Sequence, residues 1–224
     1  ILHPAPLSHG SGLYGLPHFA AGAVNVIPAS GGFEEDEIFD LLDAWPNASF
    51  FAAPTMIVRL LASRAARTPR GLKTITYGGA PMYVADALRA IDLFGPRLYQ
   101  LFGQGESPMT ITGLPQSFHE SKIKLETCGY ARTGVEVKVL ESGEIVTRSD
   151  CVMAGYWENP EATAQALRGG WLHTGDIGRM DEQGFLTILD RSKDMIISGG
   201  SNIYPREIEE VLLRHHAVAE CSVV

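Results

Sequence analysis

The chain has 224 residues, of which 45% are hydrophobic and 20% are charged, and its formal net charge is -8. This composition is typical of a globular protein that can bury one or two cores, and it makes disorder or a fibrous repeat a poor fit. The negative net charge disfavours a general nucleic-acid binder or a protein of anionic membrane surfaces, since both rely on a basic surface.

The first half of the chain alternates helix-like and strand-like segments, which predicts an α/β fold with parallel strands. Apolar residues from Ile38 to Trp45 recur at helical spacing and predict a helix that ends before Pro46. Residues 48–52 form a short apolar run typical of a buried strand, and another helix is expected after Pro54.

Two further strands predict where a ligand binds. β-branched and aromatic residues predict strands at Lys73–Tyr77 and Arg97–Phe102, and a helical stripe between Val84 and Ile91 connects them. If these strands are parallel neighbours, the loops after them leave the same edge of the sheet, where ligands of open α/β sheets bind. The two loops are Gly78-Gly79-Ala80-Pro81 and Gly103-Gln104-Gly105-Glu106.

From about Gly134 the predicted elements become short strands separated by turns, which indicates a small antiparallel sheet or barrel. These strands are expected at Val135–Leu140, Glu144–Arg148 and Phe185–Leu189. Beyond Lys193 the sequence predicts a strand, a glycine turn and a helix that begins near Pro205. The predicted organisation is a large domain over residues 1–192, α/β to 119 and β-rich over 120–192, followed by residues 193–224 as the start of an α+β carboxy-terminal domain.

Neither the cysteines nor the apolar segments indicate an extracellular or membrane protein. Cys128, Cys151 and Cys221 are odd in number and lack CxxC spacing, so they support neither a disulfide framework nor a zinc site and fit a reducing cytoplasm. No apolar run approaches the ~20 residues of a membrane helix. The strand-like segment 217–224 has no continuation, which predicts that the sequence is part of a longer protein.

Four motifs in a fixed order resemble those of the adenylate-forming family, which includes acyl-CoA synthetases, nonribosomal adenylation domains and luciferases. They lie at Thr76–Pro81, Gln100–Glu106, Trp171–Asp176 and Asp190–Glu209. The resemblance covers nearly the whole chain, and the order of the motifs is more specific than any one of them.

The resemblance implies a nucleotide site at the two predicted loops. It assigns Gly78, Gly79, Ala80 and Pro81 to backbone that packs against adenine, with Gly103 in the second nucleotide-binding element. Gln100 offers an amide to the adenine edge, and Phe102 offers a face for stacking. Taken alone, the first loop also fits an ordinary turn with proline at a helix start, and Phe102 fits a core residue.

The resemblance also assigns polar residues to the ribose, phosphate and metal. Asp176 accepts hydrogen bonds from both ribose hydroxyls, Arg191 contacts ribose and phosphate, and Glu106 is a catalytic carboxylate that binds Mg²⁺. A lone Gly-Asp pair is otherwise typical of a turn. The family's usual Tyr and Thr are replaced by Phe102 and Gly105, and the second change removes a hydroxyl near phosphate.

Three remaining groups of residues are assigned by the resemblance alone. Lys193 corresponds to the catalytic hinge between the large and small domains, whose orientations support different half-reactions. Ser198, Gly199 and Gly200 correspond to the loop beside the coenzyme A thiol. His9, Tyr77 and Gly103 are expected to border the acyl group and to leave room for an aromatic or extended aliphatic acid. A surface lysine in a turn and a structural histidine are the simpler alternatives for Lys193 and His9.

The function implied is that of an AMP-forming acyl-CoA synthetase, with ATP, Mg²⁺ and coenzyme A as cofactors or substrates and a small carboxylic acid as the acyl donor. An adenylation domain that loads a carrier-protein thiol and a degenerate nucleotide-binding module are the alternatives. The family's phosphate-loop lysine and its far carboxy-terminal lysine have no counterpart in this sequence. We therefore expect the 224-residue chain alone not to make acyl-CoA.

Overall fold

The computed structural model describes residues 1–80, 82–192, 194–198, 201–215, 217–218 and 221–223. Contacts divide the chain into two compact units. Unit 1 comprises Ile1–Met82, Asp86–Phe102 and Leu114–Leu125, and unit 2 comprises Tyr83–Ala85, Gly103–Gly113 and Glu126–Val224. The domain boundary predicted between residues 192 and 193 stays a prediction.

Unit 1 is an α/β structure with parallel strands. Its helices are α1 (Gly10–Ala20), α2 (Glu35–Ala44), α3 (Pro54–Ala62), α4 (Val84–Phe94) and α5 (Gln116–Glu120), and its strands are β1 (Ala48–Ala52), β2 (Leu72–Gly78) and β3 (Leu98–Gln104). Strand β2 pairs in parallel with both β1 and β3, which confirms the predicted parallel sheet. Gly78 at the end of β2 lies opposite Leu101 of β3, so the carboxyl ends of these strands meet.

Part of the helical stripe predicted before Pro46 lies in the core of unit 1. Ile38 and Leu42 of α2 have no exposed surface, whereas Leu41 is half-buried and Trp45, which follows the helix, is 41% exposed. Phe39, which is outside the predicted stripe, is also fully buried. The ring of Phe39 stacks on that of Phe94 in α4, with 6.3 Å between their centroids. Because each fully buried side chain of this size contributes roughly 1.5–3 kcal/mol, this stripe helps to hold the strands that carry the predicted loops.

Unit 2 contains a four-stranded antiparallel sheet, which confirms the change of pattern predicted near Gly134. Its elements are β4 (Ser107–Leu114), β5 (Tyr130–Ala131), β6 (Glu136–Val139), β7 (Glu144–Arg148), α6 (Pro160–Ala166), β8 (Leu172–Met180), β9 (Leu186–Arg191), β10 (Ile196–Ser198), β11 (Ser201–Ile203) and α7 (Pro205–Leu212). The sheet has the order β6-β7-β8-β9, with every neighbouring pair antiparallel. Strands β4 and β5 pair with each other in antiparallel orientation outside this sheet.

Helix α1 and strand β8 are among the elements that were not predicted from the sequence, as are β4, β5, α5 and α6. Helix α1 contains three glycines and Pro17, residue types with poor helix propensity, so its sequence gives a weak local signal. Strand β8 includes Gly175 at φ 70° and a register shift between Ile177 and Gly178, and both interrupt the alternation that marks a strand. Both elements form because tertiary contacts outweigh the local preference.

The helices of the described residues are short. The longest, α1 and α4, have 11 residues each, and at 1.5 Å per residue such a helix rises only about 16 Å. The hydrocarbon core of a bilayer is about 30 Å thick. In the part of the chain that the structure describes, no helix has the length and apolar character needed to cross a membrane.

Candidate functional site

The loop after β2 has the open backbone that the adenine prediction requires. Gly78 is buried in the last position of β2, whereas Gly79 and Ala80 are exposed. Gly79 has φ 86°, a conformation that a side chain rarely adopts, and a Cβ there would meet no atom within 4 Å. Space beside the backbone is therefore available for a flat ligand. Pro81, the last residue of the predicted loop, lies outside the described residues.

Gln100 of β3 lies beside Tyr77 of β2, and both side chains are buried in unit 1. Tyr77 Oη lies 3.1 Å from Gln100 Oε1 and 2.9 Å from Nε2 of His119 in α5. Phe102 is 9% exposed, so most of its ring is packed in the interior. His119, which contacts Tyr77 from 42 positions further along the chain, was not predicted as a site residue.

In unit 2, Asp176 of β8 lies at the centre of a polar cluster. Gln104 Nε2 donates hydrogen bonds to Asp176 Oδ2 at 2.8 Å and to the carbonyl of Thr174 at 2.8 Å. Arg191 Nε lies 3.5 Å from Asp176 Oδ1. Burial raises the pKa of Asp176, while Arg191 and Gln104 act in the opposite direction. The structure thus brings two of the predicted nucleotide residues, Asp176 and Arg191, together.

Glu144 of β7 supports the part of β8 that precedes Asp176. Its Oε2 accepts hydrogen bonds from His173 Nδ1 at 2.9 Å and from Arg168 Nη2 at 3.0 Å. Its Oε1 accepts one from the backbone N–H of Gly175 at 3.3 Å. These contacts hold the side chain of His173 and the backbone of Gly175, the residues on either side of Thr174. No role was assigned to Glu144 from the sequence.

Glu106, the predicted metal ligand, is partly exposed and hydrogen-bonded within unit 2. The hydroxyl of Tyr156 donates to Glu106 Oε1 at 2.6 Å, and this bond raises the pKa of Tyr156. Among the residues that the structure describes, no group of three or more His, Cys, Asp or Glu side chains could hold a metal ion. A single carboxylate suits Mg²⁺ when ATP phosphates and water complete the coordination. Glu106 therefore fits a metal that arrives with a nucleotide.

Gly103 is required by the packing at the turn between β3 and β4. A Cβ at Gly103 would lie 2.6 Å from the Ser107 carbonyl and 2.5 Å from Met109 Cα, both of which are backbone atoms that cannot rotate away. We expect Gly103→Ala to lower the free energy of unfolding by about 1–3 kcal/mol, because relief of these contacts requires the turn to move. Urea unfolding followed by circular dichroism measures this change.

Gly105 in the same turn provides the matched control. It is exposed, and a Cβ there would meet no atom within 4 Å. We expect Gly105→Ala to leave the free energy of unfolding within about 0.5 kcal/mol of the original value. Equal destabilisation by the two substitutions would show that the turn responds to any side chain and not to this close approach.

Of the remaining predicted residues, the structure describes only His9 and Ser198. His9 is exposed at the start of α1, where its Nδ1 lies 2.9 Å from Ser8 Oγ. Ser198 ends β10 and pairs with Ser201 of β11. Lys193, Gly199 and Gly200 lie outside the described residues. The assignments of these residues stay predictions.

Curated relatives match almost all of the chain. The medium/long-chain-fatty-acid–CoA ligase FadD8 of Mycobacterium tuberculosis is 36% identical over 98% of this chain and 40% of its own length. The 2-succinylbenzoate–CoA ligase of Geobacillus kaustophilus is 36% identical over 99% of this chain and 46% of its own length. The chain therefore spans less than half the length of these relatives.

Solved structures of similar proteins have the same fold. The amide bond synthetase McbA of Marinactinospora thermotolerans superposes with a TM-score of 0.90 at 33% identity, over 97% of this chain and 47% of that protein. The o-succinylbenzoate CoA synthetase of Bacillus subtilis, solved with ATP and a magnesium ion, superposes with a TM-score of 0.85 at 32% identity. This match covers 99% of this chain and 47% of that protein. The family model described as AMP-binding enzyme matches residues 1–157, and together with these relatives it shows that the chain belongs to the AMP-binding, adenylate-forming family.

Proposed function

We propose that the protein from which this chain derives is an AMP-forming acid–thiol ligase. It would join a carboxylic acid to ATP with release of pyrophosphate and then transfer the acyl group to coenzyme A. The observation that carries the proposal is the buried carboxylate of Asp176, which Gln104 holds by one oxygen and Arg191 approaches at the other. A carboxylate in a fixed position is suited to a vicinal diol, because its two oxygens can accept from two hydroxyls.

The adenine end of the nucleotide is assigned to the loop after β2 and to the last residues of β3. The exposed backbone of Gly79 and Ala80, together with Gly78 and Pro81, would pack against one face of the base. Gln100 would meet the edge of the base, and Phe102 and Gly103 would line the ring. The parallel pairing of β2 and β3 supports this assignment, since ligands of such sheets bind beyond the carboxyl ends of the strands.

The ribose and phosphate end is assigned to three polar side chains, those of Glu106, Asp176 and Arg191. Asp176 would accept hydrogen bonds from the ribose hydroxyls, and Arg191, which is 59% exposed, would donate to ribose and phosphate oxygens. Glu106 would hold Mg²⁺, which neutralises phosphate charge when it is bound. The relative solved with ATP and magnesium supports these two ligands at the level of the family.

The acyl and thiol assignments rest on the family motifs. His9, Tyr77 and Gly103 would border the acyl group, Lys193 would act as the hinge, and Ser198, Gly199 and Gly200 would lie beside the coenzyme A thiol. Relatives named for a fatty acid and for 2-succinylbenzoate favour an acid with a large apolar part. The likeness to an amide bond synthetase makes an amine the second candidate acceptor.

Calorimetry and a pyrophosphate assay test this proposal. We expect AMP to bind the 224-residue chain, and we expect no pyrophosphate release from the chain with ATP and an acid, because it lacks both of the family's phosphate-handling lysines. The full-length gene product should release pyrophosphate with an aromatic, medium-chain or long-chain acid and form a thioester with coenzyme A. A chain that does not bind AMP, or a gene product that consumes ATP without an acid, would contradict the proposal.

A further inference from the structure

A network of three buried polar side chains connects α5 to strands β2 and β3 of unit 1. His119 and Tyr77 have no exposed surface, and Gln100 is 7% exposed. Tyr77 Oη lies between the other two side chains, 2.9 Å from His119 Nε2 and 3.1 Å from the Gln100 carboxamide. A buried polar group that lacks a hydrogen bond costs folding free energy. The hydrogen atoms of these three side chains must therefore be arranged so that each donor faces an acceptor.

The position of the histidine hydrogen follows from its second contact. His119 Nδ1 lies 3.1 Å from the carbonyl oxygen of Pro115, and a carbonyl can only accept, so Nδ1 carries a hydrogen. Burial lowers the pKa of His119, which favours the neutral ring. In the neutral ring Nε2 is then an acceptor, and the Tyr77 hydroxyl donates its single hydrogen to it.

This arrangement fixes the orientation of the Gln100 carboxamide. With its hydrogen directed to His119, Tyr77 Oη can offer only a lone pair to Gln100. An oxygen of Gln100 facing Tyr77 Oη would then form no hydrogen bond with it, because both atoms are acceptors. The oxygen and nitrogen of a carboxamide exchange places by a half-turn of the terminal torsion. The pairing is satisfied when Nε2 of Gln100 donates to Tyr77 Oη, which directs Oε1 away from Tyr77.

We propose that His119 is a positioning residue that sets the purine preference of the nucleotide site, by fixing through Tyr77 which end of the Gln100 carboxamide meets the base. The inference rests on the proposed contact between Gln100 and the base edge. An outward oxygen accepts from the 6-amino group of adenine, whereas it opposes the 6-oxo group of hypoxanthine, which is also an acceptor. The site therefore selects 6-amino over 6-oxo purine nucleotides.

Calorimetric titration of the chain with AMP and with IMP tests this role. We expect the original chain to bind AMP at least about tenfold more tightly than IMP. In His119→Leu the Tyr77 hydrogen is released to donate to the Gln100 oxygen, so the carboxamide turns and presents its NH₂ group. The ratio of the two affinities should then fall about tenfold. His119→Gln keeps an acceptor for Tyr77 and should keep the ratio.

Tyr77→Phe keeps the inference testable if His119→Leu does not fold. Loss of the hydroxyl releases the carboxamide to take either orientation, so AMP and IMP should approach equal affinity. A general loss of stability would weaken both nucleotides together, which leaves the ratio unchanged. An unchanged ratio in a folded His119→Leu or Tyr77→Phe chain overturns the inference while AMP binding stands, and a failure of the original chain to bind AMP overturns both the inference and the proposed function.

Discussion

Replacement of Asp176 by asparagine is expected to weaken AMP binding by about ten- to a hundredfold, because hydrogen bonds to a charged group contribute about 1.5–3 kcal/mol. The carboxylate can accept from two ribose hydroxyls, whereas the carboxamide of asparagine offers one acceptor and one donor. Gln104 holds Asp176 by Oδ2 at 2.8 Å, and asparagine can keep that bond through its own oxygen. Calorimetric titration with AMP measures the change.

Asp150 provides the matched control for the loss of one negative charge. It is exposed after β7, and no role in the proposed site is assigned to it. Asp150→Asn should change AMP affinity by less than about twofold, because exposed charges are screened by solvent. Equal losses in the two variants would point to net charge as the cause, and full AMP affinity in Asp176→Asn would contradict the ribose assignment.

Unfolding measurements separate the binding loss of Asp176→Asn from a loss of fold. Burial raises the pKa of Asp176, so the carboxyl group of Asp176 binds its proton more tightly in the folded chain than in the unfolded chain. Stability then falls as the pH rises from the ordinary aspartate pKa of about 3.9 through the raised value. Asparagine cannot ionise, so the variant should unfold at higher urea than the original chain at pH 7. The difference should vanish near pH 3, where both states are protonated.

Much of the α/β framework could be predicted because its signals are local. Strand β1 has the predicted bounds, Ala48–Ala52, since an apolar run lies there between two prolines. Strands β2 and β3 differ from prediction by one or two residues at their ends. Their parallel pairing followed from one further rule, that a helix connects parallel neighbours. The position of the Gly78 loop was therefore predictable from residues nearby in sequence.

The side chains that support the predicted site residues depended on long-range contacts. Gln104 donates a hydrogen bond to Asp176, which is 72 positions away in the sequence, and Tyr156 donates one to Glu106, which is 50 positions away. Such pairs depend on strand register and loop course, which a single sequence leaves open. His119 lies in a five-residue helix with no periodic pattern, so only the fold places it against Tyr77. The residues proposed to contact the ligand could thus be predicted from the sequence, whereas the hydrogen-bonding partners that position them could not.

Replacement of Glu106 by glutamine is expected to remove the gain in ATP affinity that Mg²⁺ provides, by about ten- to a hundredfold. A neutral amide oxygen is a weaker ligand for a hard cation than a carboxylate. The amide oxygen can still accept from Tyr156, whose hydroxyl lies 2.6 Å from Oε1, so the local contact survives the change. Titration of the chain with ATP, with and without magnesium chloride, measures the gain.

AMP binding without magnesium is the internal reference for Glu106→Gln, because AMP lacks the β- and γ-phosphates that would share a metal with Glu106. Its affinity should change by less than about twofold, since the amide keeps the volume of the carboxyl group. Tyr156→Phe removes the hydroxyl and leaves the carboxylate, so most of the magnesium effect should remain. The same magnesium gain in Glu106→Gln as in the original chain would rule out Glu106 as the ligand. Equal losses of AMP affinity and ATP affinity would instead show that the substitution disturbs the fold of the turn.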